Sequence, residues 1–284
     1  MRLTDDEVLR IEGAVRGPRG RDLMELMRRL STFRGPEDTA PAVLAEARAL
    51  GWTDARDAPT PLGWLVANPL RELLLWEERG GRMHMQAEFP VLRDGTFLGK
   101  RVLEVGCGTG CNLLTLEPMA SAVLGVELEP LFLQLTPLIA DLAGRPVPAR
   151  TEGRAEALPS DDAAWDVALV MGALQYMDIP RVLRELARVL APGGTAIMVL
   201  SDLAGATGEL LRIAPTLSPR GLARELVLYA GNVTYPLVGR AFQPAGAPVY
   251  PPQAAFRRWF RQAGLTWDPR SRRHGHEMCY VATR

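Results

Sequence analysis

A chain of 284 residues, 47% hydrophobic and 23% charged, can bury a substantial core, enough for one α/β domain and an extra module. Lys+Arg and Asp+Glu balance at 33 each, so, local patches aside, no global field draws the protein onto nucleic acid or an anionic membrane, which counts against a nucleic-acid substrate. Met1-Arg-Leu-Thr-Asp-Asp-Glu7 has no apolar signal core, no apolar run reaches the roughly 20 residues of a membrane span, and three cysteines make no disulfide framework, so a cytoplasmic protein with reduced thiols is expected.

Residues 1–78 read as helical, with Leu23, Met24, Leu26, Met27 and Leu30 at helical spacing. Pro41-Ala-Val-Leu-Ala-Glu-Ala-Arg-Ala-Leu50 makes a second helix, for which Gly51 is a natural stop. A polar stretch from Trp52 to Gly63 leads into a third apolar helical stretch through Leu75. Helices, a short polar hairpin and the Thr60-Pro-Leu-Gly63 turn resemble a winged-helix module. A DNA-reading module would present a basic recognition helix, but 40–50 carries only Arg48, alongside Glu46. Dimerisation, as a homodimer through this module, or covering of a substrate is its expected role.

From Lys100 strands and helices alternate, the pattern of a doubly wound, mostly parallel sheet. The first strand is Arg101-Val-Leu-Glu-Val105, the second Ala122-Val-Leu-Gly-Val126, the fourth Trp165–Met171 and the fifth Thr195–Leu200; the third, near Val147-Pro-Ala-Arg150, has the weakest pattern. Their continuous apolar runs suit strands covered on both faces. A helix from Ile179 to Leu190 puts Val182, Leu183, Leu186, Val189 and Leu190 on one face, and Pro192-Gly-Gly194 ends it. An insertion at about 204–250, with a short helix near Leu222–Tyr229, is long enough to be a lid or binding loop. Its Tyr229, Tyr235, Phe242 and Tyr250 suit an apolar pocket wall or core packing equally. A helix at Pro252–Ala263 and strands at Leu265–Trp267 and Glu277–Thr283, where Cys279 reads as a small hydrophobe, complete a domain of 79–284.

Gly106, Gly108 and Gly110 follow the first strand and precede Asn112-Leu-Leu-Thr-Leu116, so the turn brings bare backbone close to a nucleotide-like ligand. A Gly-x-Gly-x-x-Gly dinucleotide fingerprint would put its last glycine at 111, where Cys111 stands. A pyrophosphate also favours a helix N-terminus without a carboxylate such as Glu104 nearby, whereas a sulfonium cofactor carrying an ammonium group gains from that charge. Glu127, ending the second strand, lies about as far beyond Gly110 as a ribose-binding carboxylate does in a dinucleotide fold, and it can accept two hydrogen bonds.

Taken together, Glu104-x-Gly-x-Gly-x-Gly110, the acidic end of the second strand, Gly153-Arg-Ala-Glu-Ala-Leu-Pro159, Trp165-Asp-Val-Ala-Leu-Val170 and Arg188-Val-Leu-Ala-Pro-Gly-Gly194 resemble the ordered motifs of class I, Rossmann-like S-adenosylmethionine-dependent methyltransferases. The nearest group is that of the ubiquinone and menaquinone C-methyltransferases. The resemblance covers roughly 100–200 well and 251–284 loosely; 1–78 and 204–250 lie outside it. It implies a seven-stranded sheet, S-adenosylmethionine as cofactor with S-adenosylhomocysteine as product, and in-line methyl transfer to a small-molecule or peptide acceptor, accelerated by proximity and alignment.

Carried over residue by residue, the resemblance implies that Glu104, Gly106, Gly108 and Gly110 hold the methionine end of the cofactor, that Glu127 holds its ribose and that Leu128 packs on the adenine. Arg154 stands where the family often has an acidic residue beside the adenine amino group and cannot accept that hydrogen bond, leaving the Ala155 backbone and Glu156 for the adenine. Gln175 and Tyr176 fall where the family places residues between cofactor and acceptor. His84 precedes the first strand, in a region that often folds over the cofactor, and is the second catalytic candidate beside Tyr176, as a base near neutral pH. His274 and His276, beside Glu277, read most simply as a polar hairpin, because their spacing is too unspecific for a metal site. Two other classes compete. A regulator that binds the cofactor and uses 1–78 on DNA would need a basic stripe there, and a nucleotide-dependent oxidoreductase would need the glycine at 111.

Overall fold

Thr4 and Glu7 start the first helix. The Glu7 N–H donates to the Thr4 hydroxyl and the Thr4 N–H donates to the Glu7 carboxylate, a reciprocal cap worth about 1 kcal/mol. The computed structural model describes residues 1–32, 35–213, 226–227, 229–230 and 248–284. It begins with α1 (Asp5–Arg16), α2 (Gly20–Ser31), α3 (Pro41–Ala49) and α4 (Pro61–Glu78). α1 buries a short apolar stripe of Ile11, Ala14 and Val15, with Val8 packed against the same core, behind the Thr4-x-x-Glu7 box that starts it. Between α3 and α4 the polar stretch forms a small antiparallel bridge, Thr53 to Pro59, after which the Thr60 hydroxyl accepts from the Gly63 N–H to cap α4.

The chain continues through β1 (Arg101–Val105), α5 (Cys111–Leu116), β2 (Ala122–Glu127), α6 (Pro130–Leu142), β3 (Arg150–Glu152) and β4 (Trp165–Met171). After a 3₁₀ turn at Leu174–Tyr176 come α7 (Ile179–Val189), β5 (Leu190–Ser201), α8 (Leu203–Ile213), α9 (Gln253–Ala263), β6 (Thr266–Trp267), β7 (Arg272–His274) and β8 (Glu277–Thr283). The sheet order is β3-β2-β1-β4-β5-β8-β6, with β7 on β8. β1, β2, β4 and β5 pair in parallel, and β8 runs antiparallel to β5.

Three details differ from the sequence reading. β3 starts at Arg150 rather than near Val147, because Pro146 and Pro148 cannot donate to a ladder. β5 starts at Leu190, paired with Trp165, and its register shifts before Thr195, so Pro192-Gly-Gly194 lies within an irregular strand rather than in a loop. The expected polar hairpin turns at Gly275 (φ 57°) and pairs β7 with β8, making an eighth strand.

Two compact units follow from how the residues cluster. The first is Met1–His84 with Cys107–Pro118 and Glu127–Glu152; the second is Met85–Gly106, Met119–Val126 and Gly153–Arg284. In the first, Leu23, Leu26 and Met27 of α2 and Leu70, Leu73 and Leu74 of α4 share one apolar core with Leu114 of α5 and Leu131, Leu135 and Leu138 of α6. In the second, strand residues such as Val105, Val170 and Met198 bury against Val182, Leu183 and Leu186 of α7 and Phe256 and Phe260 of α9. The Phe256 ring stacks on that of Tyr280, with centroids 3.9 Å apart. Cys107, Cys111 and Cys279 are buried free thiols, and burial pushes the Cys279 thiol up to about 12. No described helix is long and apolar enough to cross a membrane.

The start of β1 is fixed by Asp166, whose carboxylate accepts from the Arg101 guanidinium at 2.8 Å and the Arg101 N–H at 2.9 Å. These bonds hold its pKa at about 2, below the usual carboxylate value. Because the folded-state pKa is depressed, this pair's stabilisation is complete above the usual value of about 4 and is lost as pH falls toward 2. Urea unfolding of Asp166→Asn between pH 5 and 2, on the order of the carboxylate range, is expected to show a shallower acid loss than wild type. Equal slopes would show that the pair contributes nothing.

Candidate active site

The turn after β1 uses its three glycines differently. Gly106 (φ 72°) donates its N–H to the Val126 carbonyl at 2.8 Å, and a Cβ there would lie 2.5 Å from the Ala173 Cβ. Gly108 (φ 55°) has nothing within 4 Å of a Cβ position, so its face is open to a ligand. Gly110 (φ 85°) is the left-handed entry to α5. A Gly106→Ala substitution combines left-handed strain with a side chain that does not fit, so it is expected to cost about 1–3 kcal/mol in urea unfolding. Wild-type stability would contradict the tight packing beneath the turn.

Glu104, which faces Gly125 and Leu169 in the ladder, is only 1% exposed. A buried carboxylate in this position favours a cationic group at the end of β1. Glu127, half-buried, is held by three backbone donors: its Oε2 accepts from the Gly108 N–H at 2.9 Å, and its Oε1 accepts from the Leu128 and Glu129 N–H groups at 2.7 and 2.8 Å. The carboxylate is thereby oriented beside the open Gly108 and has lone pairs left for further donors. Leu128, next in the chain, is 54% exposed and offers an apolar surface.

In the first unit the segment leading to His84 is tied to α5. The Thr115 hydroxyl donates to the Gly81 carbonyl at 3.0 Å and accepts from the Trp76 indole at 2.9 Å. His84 itself is half-buried. No sequence signal marks this relay, since Trp76 and Thr115 are far apart along the chain and belong to no motif.

In the second unit, Ala155 is buried, Arg154 is exposed and lies 3.7 Å from the Glu156 carboxylate, and Glu156 also accepts from the Asp178 N–H at 3.1 Å. Gln175 donates its Nε2 to the Gly172 carbonyl at 2.8 Å, while its own backbone carbonyl accepts from the Val249 N–H at 2.8 Å. The end of the insertion therefore sits on the 3₁₀ turn. Tyr176, at the end of that turn, is 60% exposed, so core packing does not account for it. Of the insertion's aromatic residues, Tyr229 lies with its hydroxyl 2.8 Å from the Thr207 hydroxyl, whereas Tyr235 and Phe242, and most of the helix expected at 222–229, fall outside the described residues.

One buried group was not anticipated. Asp202, at the end of β5 and 1% exposed, accepts from Arg273 at 2.5 Å, from the Tyr280 hydroxyl at 3.1 Å and from the Gly205 N–H at 2.9 Å, which caps α8. Burial, reinforced by the Asp202 charge, pushes the Tyr280 phenol above its ordinary range. A carboxylate after an apolar strand was the available signal, but its partners lie some 70 residues on. His274 and His276 are exposed on the hairpin, and among the described residues no group of three or more His, Cys, Asp or Glu side chains could hold a metal ion.

Comparison with known proteins finds methyltransferases in each case. Residues 103–198 match the methyltransferase domain model. The chain is 30% identical over 152 residues to the phthiotriol/phenolphthiotriol dimycocerosates methyltransferase of Mycobacterium leprae, covering 52% of each chain. It is 36% identical over 103 residues to the demethylmenaquinone methyltransferase of Thermus thermophilus, covering 35% of this chain and 46% of that one. The chain thus spans about half the length of the curated relatives it matches. In fold it is similar to the methyltransferase in a complex with the Haloferax volcanii Trm112 methyltransferase activator (TM-score 0.52, 19% identity, 77% of this chain and 95% of that one). It is also similar to a SAM-dependent methyltransferase from Methanosarcina mazei (TM-score 0.50, 16% identity, 72% and 98%). The mostly parallel sheet with its glycine turn after β1 is thus the class I, Rossmann-like methyltransferase fold, and residues 103–198 within it carry a methyltransferase domain.

Proposed function

We propose that the protein transfers the methyl group of S-adenosylmethionine to a small-molecule or peptide acceptor by in-line displacement. The observation that carries this reading is Glu127, held by three backbone N–H groups beside the open face of Gly108. The bound cofactor supplies an electrophilic methyl group on a sulfonium centre. Glu104 and the backbone of Gly106, Gly108 and Gly110 hold its methionine end, Glu127 accepts from the ribose hydroxyls, Leu128 covers the adenine and the Ala155 backbone binds its edge. Gln175 would contact the cofactor when it is bound, and Tyr176, exposed at the turn, would orient the acceptor. His84 is the candidate base where the acceptor must lose a proton.

Non-peptide acceptors are favoured over peptides by the names of the relatives, one a phthiotriol/phenolphthiotriol dimycocerosates methyltransferase and one a demethylmenaquinone methyltransferase. Residues 1–78 are proposed as a module that covers the substrate. The regulator alternative draws no support, because Arg48 of α3 is bound twice by Asp57, at 2.8 and 2.7 Å, and Arg19 pairs with Glu46. The test is methyl transfer from labelled S-adenosylmethionine to a panel of quinone, phenolic and peptide acceptors. Transfer to a quinone or phenol supports the reading, and transfer to none of them, by protein that binds S-adenosylhomocysteine, contradicts it.

A further inference from the structure

Although the whole chain is neutral, its arginines are not evenly neutralised. In the first unit most helix arginines meet carboxylates: Arg16 pairs with Asp141, Arg21 with Glu77, Arg28 with Glu78, Arg48 with Asp57 and Arg71 with Glu72, while Arg10 and Arg29 donate to the Ala49 and Glu37 carbonyls. α7 and α9 of the second unit differ. Packed side by side through Val182, Leu183, Leu186, Phe256 and Phe260, they carry six arginines and one carboxylate, Glu185, which is bound by Arg188. Arg181, Arg184, Arg257, Arg258 and Arg261 are exposed. Arg181 has only a long contact of 3.4 Å to Asp178, and Arg184, Arg257 and Arg261 pair with no carboxylate among the described residues. Arg257 instead lies over the Trp267 ring, 4.1 Å from its centroid.

We infer that this α7–α9 face docks on an anionic lipid surface. Clusters of four to eight basic side chains on an amphipathic helix supply that attraction, which acts within about a Debye length and weakens with salt. A single-stranded nucleic acid would also be attracted, but its binding faces interleave charge with exposed aromatic rings on which bases stack. Here Phe256 and Phe260 are fully buried, Trp259 is 6% exposed and Trp267 lies beneath Arg257. The face therefore offers charge without a stacking platform. Docking would hold the protein where lipophilic molecules partition, and it does not depend on the identity of the methyl donor.

The experiment is co-sedimentation of the full chain with vesicles of phosphatidylcholine, with and without phosphatidylglycerol, at low and high salt. Binding is expected only to the anionic vesicles and only at low salt. Replacing Arg257, Arg258 and Arg261 together by Gln is expected to weaken it about a hundredfold, by the additive effect of three basic side chains. Replacing Arg16, Arg21 and Arg28 by Gln changes the net charge equally and is expected to leave binding unchanged. No sedimentation of the wild type, or equal losses for the two triple variants, overturns the inference. Retention of transfer RNA that depends on the α9 arginines, without vesicle binding, overturns it as well and gives the face to nucleic acid.

Discussion

Glu127→Gln is expected to weaken S-adenosylhomocysteine binding about a hundredfold, because a neutral amide forfeits the charge-assisted bonds that a carboxylate makes with two hydroxyl donors. The amide oxygen can still accept from part of the turn, so the fold should remain intact. Glu127→Ala removes the acceptor for Gly108, Leu128 and Glu129 together and is expected to lose the same affinity with some stability besides. Calorimetry on both variants separates these effects. Wild-type affinity in both would mean that Glu127 only braces the turn and that the ribose lies elsewhere.

Asp202→Ala is expected to be the most destabilising single change, at about 3–5 kcal/mol. It leaves the buried Tyr280 hydroxyl and the Gly205 N–H without an acceptor and Arg273 without its counter-charge. The Arg273 side chain is 35% exposed and can rehydrate, which places the loss at the lower end of that range. Asp202→Asn, which keeps an acceptor for the helix cap, should lose less, and Tyr280→Phe least. Urea unfolding of the three variants gives the order, and an Asp202→Ala loss below about 1 kcal/mol would show that solvent replaces the network.

The strands bearing the glycine turn were legible because buried parallel strands are continuous apolar runs, and their ends carry the residues that cannot vary in kind. Gly106 needs a positive φ and has no room for a Cβ, and Glu127 ends its strand next to the loop it braces. Local chemistry was also readable where stops are short-range: the Gly51 stop falls at a helix end, whereas Thr60-Pro-Leu-Gly63, read as a turn, is the cap and first residues of α4. What escaped was non-local. The Trp76–Thr115–Gly81 relay and the Asp202–Arg273–Tyr280 network join side chains far apart in sequence, with no periodicity to announce them. The α7–α9 face escaped for a related reason, since a neutral total hides arginines that gather on two neighbouring helices while their counter-charges sit elsewhere.

Titration calorimetry of the wild-type chain with S-adenosylhomocysteine and, separately, with NAD distinguishes the proposed methyl-donor site from the nearest glycine-turn alternative. Saturable binding of S-adenosylhomocysteine with no heat from NAD is the predicted result. Binding of NAD, or no binding of S-adenosylhomocysteine by folded protein, would contradict the assignment of Glu104–Gly110 and Glu127 to a sulfonium cofactor.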